Sequence, residues 1–177
     1  YSMFFELRNR RDDDAKNRLI RSLRVTPEEG LKILARDEVA YRTEMEEFAS
    51  KFMGRADDRL FACGAGHGIS IDAYGRAQPC MGVRAPELTV DAISSSLVEV
   101  LGQFKSLGDM RAANPEYLRR CAVCRLKGFC EQCPAKSWTE HGTLDTPVEY
   151  LCEVAHAQAQ FLGWLSEGEI AWKAKGS

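Results

Sequence analysis

Apolar positions at three-to-four-residue spacing mark out most of the helices expected in this chain. The longest stripe runs through Leu31, Leu34, Tyr41, Met45, Phe48 and Phe52, and Gly54 is expected to end it. It opens on Thr26-Pro27-Glu28-Glu29, where Thr26 can cap, Pro27 suits the first helical position and Glu29 can complete a capping box. Asp37 falls inside the stripe and is expected to divide it into two helices. A second stripe of Leu97, Val100, Leu101, Phe104 and Leu107 follows a Ser96-Leu97-Val98-Glu99 capping box and is expected to stop at Gly108. Asn114-Pro115-Glu116 opens a short helical turn that delivers Cys121. Thr146-Pro147-Val148-Glu149 repeats the start seen at Thr26. It predicts a helix carrying Val148, Leu151, Ala155, Leu162 and Leu165 on one side, with Cys152 in its second turn. Two similar helix starts do not make an internal repeat.

Two-residue alternation marks the strands. Met3, Phe5 and Leu7 alternate within residues 1 to 11, and Arg8, Arg10 and Arg11 end that strand. Nothing beside it in sequence is an obvious pairing partner, and the chain opens on Tyr1, so a piece of a longer protein is expected. Residues 12 to 25 are highly charged and read as a solvated connection or short helix; alternatively Arg8, Arg10 or Arg11 reaches an anionic cofactor or substrate. Residues 68 to 80 read as a hairpin, with Ile69, Ile71 and Ala73 alternating and Tyr74-Gly75 at the turn. A hairpin brings its ends together, so Cys63 before it and Cys80 at its far end can face one site. The expected class is α+β with much irregular backbone.

Composition narrows the function classes. A chain of 177 residues suffices for one domain, or a small domain with an appendage. With 45% hydrophobic and 28% charged residues it is an ordinary globular sequence. A formal net charge of -2 argues for neither nucleic acid nor an anionic membrane as partner. No apolar run reaches the ~18 residues of a membrane span and no secretory signal is visible, which says little in a chain that starts at Tyr1. A cytoplasmic protein is expected.

The seven cysteines carry the chemistry. Cys121-x2-Cys124 and Cys130-x2-Cys133 put two C-x2-C pairs within one short run. Such a pair sets two sulfurs on one metal-facing turn, where backbone N–H groups can stabilise thiolate charge. Zinc ribbons usually separate their pairs by roughly 15 residues or more, although a five-residue gap can still close on one metal. If residues 121 to 133 form one complete site, Cys63, Cys80 and Cys152 have no role beyond packing. A two-site arrangement uses all seven thiols and falls one ligand short of eight. Asp57, Asp58 or His67 could fill that place, or it could stay open to water, substrate or another chain.

The runs CGAGHGISIDAYGRAQPC and CAVCRLKGFCEQC, followed by the single Cys152, resemble the SPASM domain of radical SAM enzymes. Gly75-x4-Cys80 and Cys121-x2-Cys124-x5-Cys130 match that family's pattern directly. Cys133 follows Cys130 after two residues, where the commoner family spacing is three. The match spans residues 63 to 152 and uses every cysteine. The resemblance implies two auxiliary [4Fe-4S] clusters with interleaved ligands. Cys121, Cys124, Cys130 and Cys152 would hold one; Cys63, Cys80 and Cys133 would hold the other. Some members of the family place an extra cysteine shortly before the first, but here that stretch reads Arg55-Ala56-Asp57-Asp58-Arg59, so an open coordination place is expected. Residues 1 to 54 then resemble the end of a radical SAM barrel and its bridging helices, and residues 55 to 177 the auxiliary-cluster domain. The C-x3-C-x2-C signature that binds SAM and a third [4Fe-4S] cluster is absent. The implied function is therefore one part of a longer oxidoreductase that modifies a peptide or protein, with a separate core and an electron donor as partners; this chain alone should not turn over. The alternative is a non-catalytic zinc-binding interaction module, and a thiol-disulfide oxidoreductase is the weakest rival.

Several side chains have a bland reading beside a functional one. His67 is either a surface turn residue or a ligand, and His141 is expected in exposed loop. His156, four residues after Cys152, shares its helix face, and either packs there or hydrogen-bonds near a cluster. Tyr74 and Trp138 are expected as hydrophobic cover over the cluster sites. Lys127 and Lys136 are expected as surface lysines, or as charges that offset a cluster.

Overall fold

The structure, a computed structural model, describes residues 14 to 173. The strand expected over residues 1 to 11, with its three arginines, lies outside the described residues. Within them the fold is α+β: seven α-helices and one small antiparallel sheet. Helix α1 spans Asp14–Ser22, so most of the charged connection is helical. Helix α2, Pro27–Leu34, starts as expected: Thr26 Oγ1 accepts from Glu29 N at 3.2 Å, and Glu29 Oε2 accepts from Thr26 N at 3.1 Å. Asp37 does divide the long stripe. Its carboxylate accepts from Ala40 N at 3.0 Å and caps α3, Glu38–Phe52.

The expected hairpin pairs β1, Ser70–Ile71, with β2, Arg76–Gln78, in the register Ser70 opposite Gln78 and Ile71 opposite Ala77. Asp72 organises its turn, accepting from Tyr74 N at 2.9 Å and Arg76 N at 3.0 Å. Gly75 sits at φ +75°, which a side chain would strain. A third strand, β3 (Val90–Asp91), extends the sheet on the other edge of β2. It is too short to show alternation in sequence. Helix α4, Leu97–Phe104, has its Ser96–Glu99 capping box. It does not stop at Gly108: after Phe104 the chain tightens into a 3-10 turn, Lys105–Asp109, which buries Leu107 beside Phe104.

Helix α5, Pro115–Arg119, is capped by Asn114 and leads straight into a 3-10 turn at Cys121–Val123. Helix α6, Pro134–His141, was not foreseen, although proline at its first position and left-handed Gly142 after its last residue are recognisable bounds. The capping box expected at Thr146 is not formed. Thr146 Oγ1 instead accepts from Asn114 Nδ2 at 3.1 Å, and Glu149 turns to Arg120. Helix α7 therefore begins later, at Glu149–Phe161, and Cys152 stands in its first turn.

Two apolar cores result. The first gathers Leu31 from α2, Tyr41, Met45 and Ala49 from α3, Leu126 and Phe129, and Val154, Ala155 and Ala159 from α7. It thus draws on both sides of residue 54. The second gathers Leu60 and Phe61, Ala77 of the sheet, Val100 and Phe104 of α4, and Ala135 of α6. Among the described residues no helix is long and apolar enough to cross a membrane.

Gly128 lets the cysteine run approach α3. Its N–H donates to Met53 Sδ at 3.1 Å, and a Cβ there would collide with the Ala49 carbonyl oxygen and Met53. Gly128→Ala is therefore expected to destabilise the fold by about 1–3 kcal/mol, read as a lower midpoint in urea.

Candidate metal centre

Three separate pieces of chain deliver four thiols to one place. Cys121 opens the 3-10 turn that α5 positions, and Cys124 closes it, its N–H donating to the Cys121 carbonyl at 3.4 Å. Cys130 ends a tight turn in which its N–H reaches the Leu126 carbonyl at 3.0 Å. Cys152 comes from the first turn of α7. Two of these sulfurs accept backbone N–H groups from two residues ahead: Leu126 N to Cys124 Sγ at 3.5 Å, and Gln132 N to Cys130 Sγ.

These four sulfurs lie close enough to raise one another's pKa. Cys130 feels Cys121, Cys124 and Cys152, and Cys121 feels Cys152 and Cys124. All four border one cavity of about 620 Å³, whose other walls include Phe48 and Phe52 of α3, Tyr117 and Trp172. Cys63 and Cys133 also border it; Cys80 does not. All seven cysteines are free thiols, and Cys63 is the exposed one. Cys133 precedes α6 in extended backbone and, with Cys80, packs against the second core, whereas Cys124 and Cys130 pack against the first. Gly66 N donates to the Pro79 carbonyl at 3.3 Å, which ties the loop carrying Cys63 to the strand end carrying Cys80. Among the described residues no group of three or more His, Cys, Asp or Glu is placed to hold a single metal ion.

Burial pushes the Cys121 and Cys130 thiols up to about 12; neighbouring thiols add to this, while Arg120 opposes it at Cys121 and the Gln132 N–H at Cys130. Burial also raises Cys124 and Cys152, against the Leu126 N–H at the first and Arg120 at the second. Four such thiols keep their protons unless a cation arrives to replace them. Soft sulfur donors grouped in this way suit an iron–sulfur cluster or another thiophilic metal centre. Arg120, which borders the same cavity, also carries a buried Nε with no hydrogen-bond partner. The donor set and this orphaned group fit an anionic metal cluster.

His156 is not idle packing. Its Nε2 accepts from Ala171 N at 3.2 Å, so its proton is on Nδ1, 2.8 Å from the Cys152 carbonyl oxygen and 3.7 Å from Cys152 Sγ. Other expectations need correction. Tyr74 covers nothing: it is 74% exposed at the hairpin tip, beneath Arg76. Trp138 does not border this cavity but packs against the second core together with Cys80 and Cys133. Lys136 is buried, held by Glu131, because α6 turns it inward. Lys127 does border the cavity, and its Nζ donates to the Arg55 carbonyl at 3.2 Å. His67 is exposed, and His141 is exposed at the end of α6 and not in a loop. Of the two aspartates, Asp57 borders the cavity, with its carboxylate held by Arg59 at 2.7 Å, while Asp58 pairs with Arg111. Sequence reasoning missed Arg120, Tyr117 and Trp172. Adjacency to Cys121 was the available signal for Arg120; Trp172 had none, since it arrives from beyond α7.

No protein-family model matches this chain, and no curated protein or solved structure matches it.

Two outcomes follow for the metal-free chain. Iodoacetamide should label exposed Cys63 first and Cys130 last, as read by mass spectrometry at timed quench. Because burial lifts Cys121 and Cys130 from 9.0 to about 12, folding retains protons that the unfolded chain sheds at high pH. That contribution to stability is complete below about pH 9 and is lost as pH rises toward 12; the urea midpoint should fall across that window.

Proposed function

We propose that this chain is the C-terminal auxiliary-cluster region of a radical SAM oxidoreductase that modifies a peptide or protein. Cys121, Cys124, Cys130 and Cys152 would hold one [4Fe-4S] cluster; Cys63, Cys80 and Cys133 would supply three ligands to a second. One observation carries the reading. The four cysteines that the family resemblance assigns to a single cluster, drawn from three pieces of chain, border one cavity and feel one another's charge.

The separation of Cys130 from Cys133 supports the interleaving. They are close in sequence, yet Cys130 packs against the first core and Cys133 against the second. Bound clusters would supply electron transfer, or an iron with a free place for substrate. The chain's own part is to hold the thiolates by N–H···S bonds at Cys124 and Cys130 and to wall the site with Phe48, Phe52 and Tyr117 against water. Hydrogen-atom chemistry belongs to a SAM-binding core whose motif this chain lacks.

The deciding experiment counts iron, acid-labile sulfide and zinc per chain on protein purified without oxygen. About eight iron and eight sulfide are expected. Cys152→Ala and Cys80→Ala should each lose about four of each, from different centres, and the double variant nearly all. Zinc in place of iron and sulfide, in protein never exposed to air, would sink the cluster assignment in favour of the zinc module.

A further inference from the structure

We propose that Arg120 is a positioning residue that sets the reduction potential of the four-thiol centre, by donating to Cys152 Sγ and fixing a positive charge in its wall. The proposal rests on the cluster reading above and adds a function for a residue outside the ligand set.

The geometry is built for this purpose. Arg120 Nη1 and Nη2 grip both oxygens of Glu149 at 2.5 and 2.8 Å, which locks the plane of the guanidinium. Nη2 also reaches Cys152 Sγ at 3.6 Å. The ring of Trp172 lies under the guanidinium, 4.6 Å from its carbon, and meets His156 edge-on at 5.2 Å. Arg120 Nε is left buried without a partner. Among the described residues it is the one buried side-chain nitrogen or oxygen in that state, and Arg120 borders the cavity with the thiols. A dry donor on a residue that borders the thiol cavity would be satisfied by an anionic occupant of it.

The ion pair does not cancel this effect. The Arg120 side chain is 12% exposed, whereas that of Glu149 is 64% exposed. Water screens the anion more than the cation, so Glu149 offsets the charge of Arg120 only in part. Reduction adds one electron to an already anionic cluster, taken from an external one-electron donor that is thereby oxidised. A fixed cation favours the reduced form, so Arg120 raises the potential.

The test uses the whole chain, reconstituted without oxygen, as wild type and as Arg120→Ala, Arg120→Gln, Arg120→Lys and Glu149→Gln. Iron and sulfide are counted first. Midpoint potentials are then read by EPR during dithionite titration, in the full chain and in a Cys80→Ala background where only the four-thiol centre should signal. Iron content should be unchanged. Arg120→Ala and Arg120→Gln should disfavour the reduced cluster about tenfold, which is ~59 mV for one electron. Arg120→Lys should fall between these and wild type, and Glu149→Gln should move the potential the opposite way. A merely structural role would not give shifts of opposite sign. Fully loaded Ala and Gln variants at the wild-type potential overturn the proposal, as do folded variants that take up no iron, which would make Arg120 an assembly residue. Wild type that takes up only zinc fails the cluster reading itself, and is told apart by the metal count before any titration.

Discussion

Burial of four grouped thiols, sharpened by their mutual repulsion, governs this structure. Four thiols stand within reach of one another's electric fields, in a place that water only partly enters. Each ionisation makes the next harder. The chain can keep such a group together only as neutral thiols or around a multivalent cation. Everything nearby can be understood as a response to that choice: N–H groups directed at Cys124 and Cys130, the guanidinium directed at Cys152, and a ring of aromatic side chains around the cavity.

Delivery of those thiols depends on the first core. Leu126 and Phe129, which flank the turn ending in Cys130, are buried with α3 and α7, and α7 is the element that carries Cys152. Packing of Tyr41, Met45 and Ala49 against that helix therefore sets where the fourth sulfur stands. Gly128 permits this by letting the backbone of the cysteine run lie against α3 with no side chain between them.

Local signals were legible in the sequence where the residues involved are close together in the chain. The caps at Thr26, Asp37 and Ser96, the Asp72 turn and the paired hairpin ends all depend on groups a few residues apart. Legibility failed where a distant partner competes. Thr146 has the right chemistry to cap α7, but Asn114 takes its hydroxyl, and Arg120 takes Glu149. Lys136 looks like a surface residue until α6 is known to face inward, and Tyr74 looks like cover until the hairpin is seen to point outward. At the site, the resemblance to the family assigned Cys121, Cys124, Cys130 and Cys152 to one place, whereas spacing within residues 121 to 133 alone left one site or two open and could not bring in Cys152. Neither showed the wall around them. Trp172 meets Arg120 and His156 only because the segment after α7 folds back over its first turn, whereas His156 meets Cys152 simply as its i+4 neighbour on the helix.

The short link from Cys130 to Cys133 has one more consequence. Gln132 within it is stapled at both ends of its amide: its Nε2 donates to Ser137 Oγ at 2.5 Å, and its Oε1 accepts from Val148 N at 2.9 Å. The link therefore has little freedom to swivel. Whatever immobilises the sulfur on one side also narrows the positions open to the sulfur on the other. On the two-cluster proposal, filling one site would therefore order part of the other, without contact between the two occupants.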